Sequence, residues 1–203
     1  MSRIHDDGKA RCAWCTDDEI YRRYHDEEWG VPLRGDRALF GMLMLEGAQA
    51  GLSWLTVLRK RDRYMEVFHG FDIERCAGMT DRRLDRLLED PGIIRNRLKV
   101  YAVRKNARAA IALAEHGPIL TEYLWSFVGG SPLINRPATM ADVPTTTPES
   151  DAMSKALKKS GFTFVGSTIC YAFMQAVGMV DDHTQGCFRG DEHANKQAPA
   201  WER

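Results

Sequence analysis

Any fold for this chain must find a place for Glu46, a carboxylate set in the otherwise apolar stretch Leu45-Glu46-Gly47-Ala48-Gln49-Ala50-Gly51-Leu52-Ser53-Trp54. At about 100° per residue, Glu46, Gln49/Ala50 and Ser53/Trp54 fall on one helical face. Leu43, Leu45, Leu52 and Leu55 supply apolar surface around them. A carboxylate among Met42, Leu43, Met44 and Leu45 must be desolvated or paired, and either is costly without a purpose. The pattern reads as a lined pocket; a helix turn that lets Glu46 reach solvent is the alternative. Gly47 and Gly51 favour the pocket, because they sacrifice helix propensity and clear space where a flat ligand can approach the backbone.

A chain of 203 residues can bury a substantial core as one domain. Residues 1–10 and 189–203 are polar and read as flexible tails around a single domain over 11–188. Residues 1–9 lack an apolar leader, and no run approaches the ~20 apolar residues that cross a bilayer, so a soluble cytoplasmic protein is expected. The 28 basic and 28 acidic residues cancel, which confines any nucleic-acid site to a local patch. Five cysteines, an odd number, point away from a disulfide framework and toward metal ligation. Cys76 and Cys170 have apolar neighbours and read as core. Cys12 and Cys15 with His25 near one end, and His183 with Cys187 near the other, suggest a zinc site that staples the two ends together.

The fold class is all-α. Thr16 to Glu19 forms a capping-box pattern before a helix that ends at Trp29-Gly30-Val31-Pro32. Asp36 caps an apolar helix to Ala50, and Ser53 caps a continuation to about Phe68. Thr80 opens a charged helix that stops at Asp90-Pro91-Gly92. Arg95 to Glu115 is a long amphipathic helix, Pro118 to Val128 a short one, and residues 129–147 an irregular connection. Thr147-Pro148 starts a helix to Ser160, and Val165 to Val177 forms the last. No window alternates convincingly enough for a strand.

The tight turn at Gly92, followed by Arg95, Arg97 and Lys99, reads as a helix-hairpin-helix over about residues 80–110. Turn amides and these cations would hold a phosphate, although a solvated basic helix on an ordinary turn has the same pattern. Lys155/Lys158/Lys159 read as a solvated face. Tyr21, Tyr24, Trp29 and Trp54 are either core or a set of rings able to sandwich a planar base.

Taken in order, Arg11-Cys12-Ala13-Trp14, the run Tyr24 to Pro32, the run Leu45 to Trp54, Gly92 to Arg97, Ser154 to Lys159 and Asp182-His183-x-x-Gly186-Cys187 closely resemble the bacterial 3-methyladenine DNA glycosylase I family. The resemblance spans about residues 11 to 187. It implies a monomeric helix-hairpin-helix enzyme that flips alkylated adenine out of double-stranded DNA and hydrolyses its N-glycosidic bond. It also implies a structural Zn2+ held by Cys12, His25, His183 and Cys187, with Cys15 outside the usual set. The base pocket maps to Glu46 with Tyr21, Tyr24, Trp29 and Trp54. Leu45 and the hairpin residues Gly92, Ile93, Ile94, Arg95 and Arg97 map toward the DNA.

The lesion base is cationic, so its bond is already activated; Glu46 would select it by charge while the rings stack on it. No acidic residue lies between Arg95 and Ala114, where many relatives in the wider superfamily carry a catalytic Asp. No lysine lies between Lys60 and Lys99, where strand-nicking members carry a nucleophile. A monofunctional glycosylase that leaves an abasic site is therefore expected. A zinc-dependent hydrolase with Glu46 as base, or a DNA-binding module without activity, would account for fewer of these residues.

Overall fold

The computed structural model describes residues 2–190. Helices dominate it, as expected. Two short strands come first, β1 (Arg3–Ile4) and β2 (Ala10–Arg11), then α1 (Glu19–Glu27), α2 (Asp36–Gln49), α3 (Trp54–Leu58), α4 (Arg61–Val67), α5 (Ile73–Ala77), α6 (Asp81–Leu87), α7 (Arg97–His116) and α8 (Leu120–Ser126). Then follow β3 (Leu133–Ile134), α9 (Pro148–Lys159), α10 (Ser167–Ala176) and β4 (Val180–Asp181). None of these helices is long and apolar enough to cross a membrane.

The organising element is α2. Every residue from Ala38 to Ala48 is buried, since apolar side chains surround its whole circumference and leave no polar face for solvent. It packs against α3, α7, α8 and α10, so Glu46 is carried through the middle of the core. Gly47 serves this packing and not a ligand: a Cβ there would stand 3.2 Å from Phe164 Cβ and 3.3 Å from its carbonyl oxygen. Gly51, with φ of +78°, adopts the left-handed geometry that ends the segment.

Several local expectations are met and several are corrected. Ser53, Thr80 and Thr147 cap their helices as read, with Pro148 in the first turn. The first cap is Asp18, which accepts from Ile20 and Tyr21, rather than Thr16. Asp36 lies inside α2 and accepts from Thr121 N at 2.8 Å, tying α2 to α8. The expected continuation to Phe68 breaks at Arg59 and Lys60 into α3 and α4.

Two corrections bear on the ends of the chain. Residues 3–10, read as part of a tail, instead form with Arg11 an antiparallel hairpin pairing Arg3 with Arg11 and Ile4 with Ala10. It is held because Ser2 Oγ donates to Gln185 O at 2.8 Å, Phe188 N donates to Ala10 O at 2.9 Å, and His5 is buried against Asp17. The irregular connection contributes β3, which pairs in parallel with β4 through Leu133–Val180 and Ile134–Asp181. Two-residue strands carry too little periodicity to be seen in sequence. Of the expected tail at 189–203, residues 191–203 lie outside the described residues, while Gly190 N still donates to Cys187 O at 3.0 Å.

Candidate active site and metal cluster

A cavity of about 200 Å³ opens beside the last turns of α2. Its lining includes all five expected groups: Glu46, Tyr21, Tyr24, Trp29 and Trp54. Sequence reasoning missed Trp14, Met140, Val143, Ala172 and Gln175 in the same wall. Trp14 sits within the matched motif and had the strongest signal. Met140 and Val143 come from the irregular connection, where no periodicity marks an inward face.

The rings are interlocked. Trp14 lies 5.1 Å from Tyr21 and 5.0 Å from Trp29 between ring centroids, and Tyr24 lies 5.3 Å from Trp54. Tilted and edge contacts of this kind fix each ring by its neighbours. Glu46 is the one carboxylate in the lining. It is 3% exposed, and its Oε2 has no hydrogen-bond partner among the described residues. Burial in this apolar wall pushes its pKa up to about 8. The indole Nε1 of Trp54 is likewise buried without a partner. A lone acceptor and a lone donor among stacked rings suit a flat, polar-edged ligand, whose own groups would satisfy both.

Cys12, His25 and Cys187 converge so that their ligand atoms lie within 4.8 Å of one another. His183 stands beside this group, its ring edge-on to that of His25 at 5.2 Å. Asp26 contacts His25 Nδ1 at 2.8 Å and Asp181 contacts His183 Nδ1 at 2.6 Å. That arrangement directs each Nε2 away from its carboxylate, the way a carboxylate orients a histidine that binds metal through its other nitrogen. Arg11 holds Asp26 from the other side through bonds of 2.8 and 2.7 Å. Burial alone would raise the Asp26 carboxyl, but His25 and Arg11 keep it at about 2. The Cys187 thiol is drawn well below its ordinary value, first by a hydrogen bond from Cys12 and then, against burial, by His25. Two thiols and two imidazoles with anchored rings are a donor set that fits tetrahedral zinc. Cys15 turns away, its thiol directed to the carbonyls of Thr16 and Tyr21. None of Cys12, His25, His183 and Cys187 lines the cavity.

The turn between α6 and α7 is built as a rigid unit. Asp90 accepts from Gly92 N at 2.7 Å and from Arg63 Nε at 2.7 Å, while Tyr64 Oη accepts from Ile94 N at 3.2 Å. Gly92 is required by close approach, since a Cβ would fall 2.6 Å from Arg63 Cγ. Several turn amides expected to face a phosphate are therefore already used by the protein. Ile93 is buried, so its side chain serves the core. Lys99, read as a phosphate contact, instead donates to Ala48 O at 2.8 Å and Ala50 O at 2.6 Å. Arg95 and Arg97 are exposed, and Arg97 is held by Asp85 and Tyr101.

Leu45, mapped toward DNA by the resemblance, is 1% exposed. It belongs to the core because α2 is packed on every side there. The leucine of this stretch that faces solvent is Leu52, at 41% exposure, between the cavity residues Gln49 and Trp54.

A helical protein with a buried carboxylate in an aromatic cavity has the build of a base-excising DNA-repair enzyme, and comparison with known proteins agrees. The sequence profile of the methyladenine glycosylase family matches residues 14–190. DNA-3-methyladenine glycosylase 1 of Escherichia coli (strain K12) is 50% identical over 177 residues, covering 87% of this chain and 95% of that protein. A crystal structure of 3-methyladenine DNA glycosylase I superimposes with a TM-score of 0.86 at 53% identity, covering 88% of this chain and 98% of that one. A variant of 3-methyladenine DNA glycosylase I in complex with 3-methyladenine gives a TM-score of 0.86 at 36% identity, covering 90% and 98%. The chain belongs to the methyladenine glycosylase family. Its activity is that of a DNA-3-methyladenine glycosylase, a hydrolase of DNA repair.

Proposed function

We propose that the chain works as a cytoplasmic monomer on alkylated double-stranded DNA. It takes cationic 3-methyladenine, swung out of the helix, into the cavity around Glu46, and it cleaves the N-glycosidic bond to leave an abasic site without nicking the strand. The observation that carries this reading is Glu46 itself: buried, unpartnered at Oε2 among the described residues, and the one carboxylate in a wall rich in rings. A carboxylate so desolvated gains most from a cationic ligand, and normal adenine, being neutral, gains less. Tyr21, Tyr24, Trp29 and Trp54 supply the stacking surface that replaces the DNA stack.

The positive charge of the lesion already activates the leaving group, so the protein needs no acid to protonate it. As the bond breaks, positive charge moves from base to sugar, and a negative Glu46 nearby favours the arrangement before and during that transfer. Water takes the place of the base on the sugar carbon. The absence of lysine between Lys60 and Lys99 supports a water-only reaction without a covalent sugar intermediate.

Zinc at Cys12, His25, His183 and Cys187 would be structural, supplying a cross-link between the N- and C-terminal segments. A zinc-dependent hydrolase is disfavoured because none of these four lines the cavity, and Trp14 and Trp29 lie against the cluster rings instead. The α6–α7 hairpin, with Gly92, Ile94, Arg95 and Arg97, would steady the duplex, and Leu52 rather than Leu45 is the leucine available to it.

The test is base release from methylated duplex DNA by the wild type and by Glu46→Gln, with zinc content measured for both. Free 3-methyladenine from the wild type and a loss of at least about tenfold in the variant at equal zinc is expected. Duplex binding without any base release by folded wild type would leave a binding module as the reading.

A further inference from the structure

Gln175 lies on α10, in the cavity wall, and the reaction described above gives it no task. Its surroundings nevertheless fix it closely. The amide Nε2 donates to Asp182 Oδ2 at 2.7 Å. Asp182 is 1% exposed and takes two further donors, Tyr171 Oη at 2.6 Å on the same oxygen and Asn135 Nδ2 at 2.8 Å on the other. A carboxylate surrounded by three donors accepts from all of them, so the amide of Gln175 must turn its NH2 toward Asp182. Its Oε1 is thereby turned the other way, and no hydrogen bond from the described residues reaches that atom.

This rigidity answers a question that Glu46 cannot. Charge separates an alkylated purine from a normal one, but 3-methyladenine and 3-methylguanine are both cationic in DNA. They differ at position 6, where adenine carries an amino donor and guanine a carbonyl acceptor. A carboxyl group held near neutrality can present either a donor or an acceptor to that edge. An amide oxygen whose partner nitrogen is locked can present only an acceptor.

We propose that Gln175 is a specificity-determining residue, its Oε1 accepting from the exocyclic amino group of 3-methyladenine and opposing the 6-oxo group of 3-methylguanine, with Asp182 as the positioning residue that sets the amide. The inference rests on the reading of the cavity as the base pocket. The opposed pair of acceptors would leave two polar atoms unsatisfied in a buried site, the kind of mismatch that discriminates strongly.

The experiment measures release of both bases from methylated duplex DNA by wild type, Gln175→Leu and Asp182→Asn, with zinc content and thermal melting recorded for each. Gln175→Leu is expected to lower 3-methyladenine release about tenfold, chiefly through KM, while 3-methylguanine release holds or rises. Asp182→Asn frees the amide to rotate and should narrow the preference in the same direction at wild-type zinc content. Quenching of the cavity tryptophans by free 3-methyladenine gives a second readout, and Gln175→Leu should weaken it by a similar factor. An unchanged ratio of the two bases in folded, zinc-loaded Gln175→Leu overturns the proposal. A wild type that releases neither base overturns the reading of the cavity itself, which is a separate outcome.

Discussion

The indole of Trp29 stacks on the imidazole of His25, with ring centroids 6.2 Å apart and planes within 20° of parallel. The same indole meets His183 edge-on at 4.6 Å and lines the cavity around Glu46 on its other side. One ring is thus the partition between the cavity and the Cys/His cluster. Trp29→Ala should lower stability by about 3–5 kcal/mol and loosen the cluster, whereas Trp29→Phe should keep zinc and weaken base stacking. Thermal melting and metal analysis beside base release separate the two effects; equal zinc retention and equal melting in both variants would contradict a shared wall.

Glu46 makes stability depend on pH in an unusual direction. The folded protein holds the Glu46 proton up to about pH 8, while an unfolded glutamate releases it near its ordinary value of 4.5. Between those values the folded state binds more protons than the unfolded one, so stability falls as pH rises through this window and levels off above it. Glu46→Gln removes the dependence and should be more stable than wild type at pH 8 by about 2–4 kcal/mol, with little difference at pH 4. Denaturant melts across that range check this, and parallel curves for the two proteins would refute it.

The same proton opposes the lesion. Below about pH 8 a cationic base can engage an ionised Glu46 only after the proton leaves. Affinity for methylated duplex should therefore weaken by up to about tenfold per unit as pH falls from 8 to 6, a slope that Glu46→Gln should abolish. Direct titration of duplex binding at fixed ionic strength measures it.

Removal of the zinc proposed for the Cys/His cluster should act on the ends of the chain before it acts on chemistry. A chelator, or Cys187→Ser, is expected to lower the melting temperature by more than about 10 °C and to release the hairpin that carries Arg11. Hydrogen exchange at β1 and β2 would report that release. Zinc-free protein kept folded at low temperature should still excise the base, and complete loss of activity in that state would revive a catalytic metal.

At the hairpin, Arg95 and Arg97 should behave differently. Arg97 is engaged with Asp85 and Tyr101, so a phosphate must compete for it. Arg95 is exposed, and no ion pair with another described residue holds it. Arg95→Ala should weaken duplex binding and reduce the salt slope by about one, with a smaller change for Arg97→Ala. Binding isotherms at several salt concentrations decide between them.

The pocket was readable because its chemistry is unusual in sequence. A lone carboxylate, two tyrosines on one helix face and two tryptophans at helix breaks stand out from a helical background, and all five meet in one cavity. Leu45 and Leu52 illustrate the limit. Both are leucines of the same motif, and only the packing around α2 decides that one is core and the other surface. Lys99 shows a second limit, since a cation at a helix start reads as a phosphate contact until the carbonyls of Ala48 and Ala50 are seen beside it. Gly47 was misjudged for a related reason: its missing side chain makes room for Phe164, a neighbour more than a hundred positions away. Short strands and the wall formed by Met140 and Val143 depend on pairings across the chain, to which local periodicity is blind.

The lysine that bridges α7 to the end of α2 has a further effect. Because Lys99 Nζ grips the carbonyls of Ala48 and Ala50, the hairpin's second helix and the helix bearing Glu46 form one stiff frame. A duplex seated on that frame would meet a receptacle already shaped and at a set distance. Inspection of each nucleotide would then be timed by the opening of the base pair, with no slow closure of the enzyme to wait for, and weakened pairs would be sampled first.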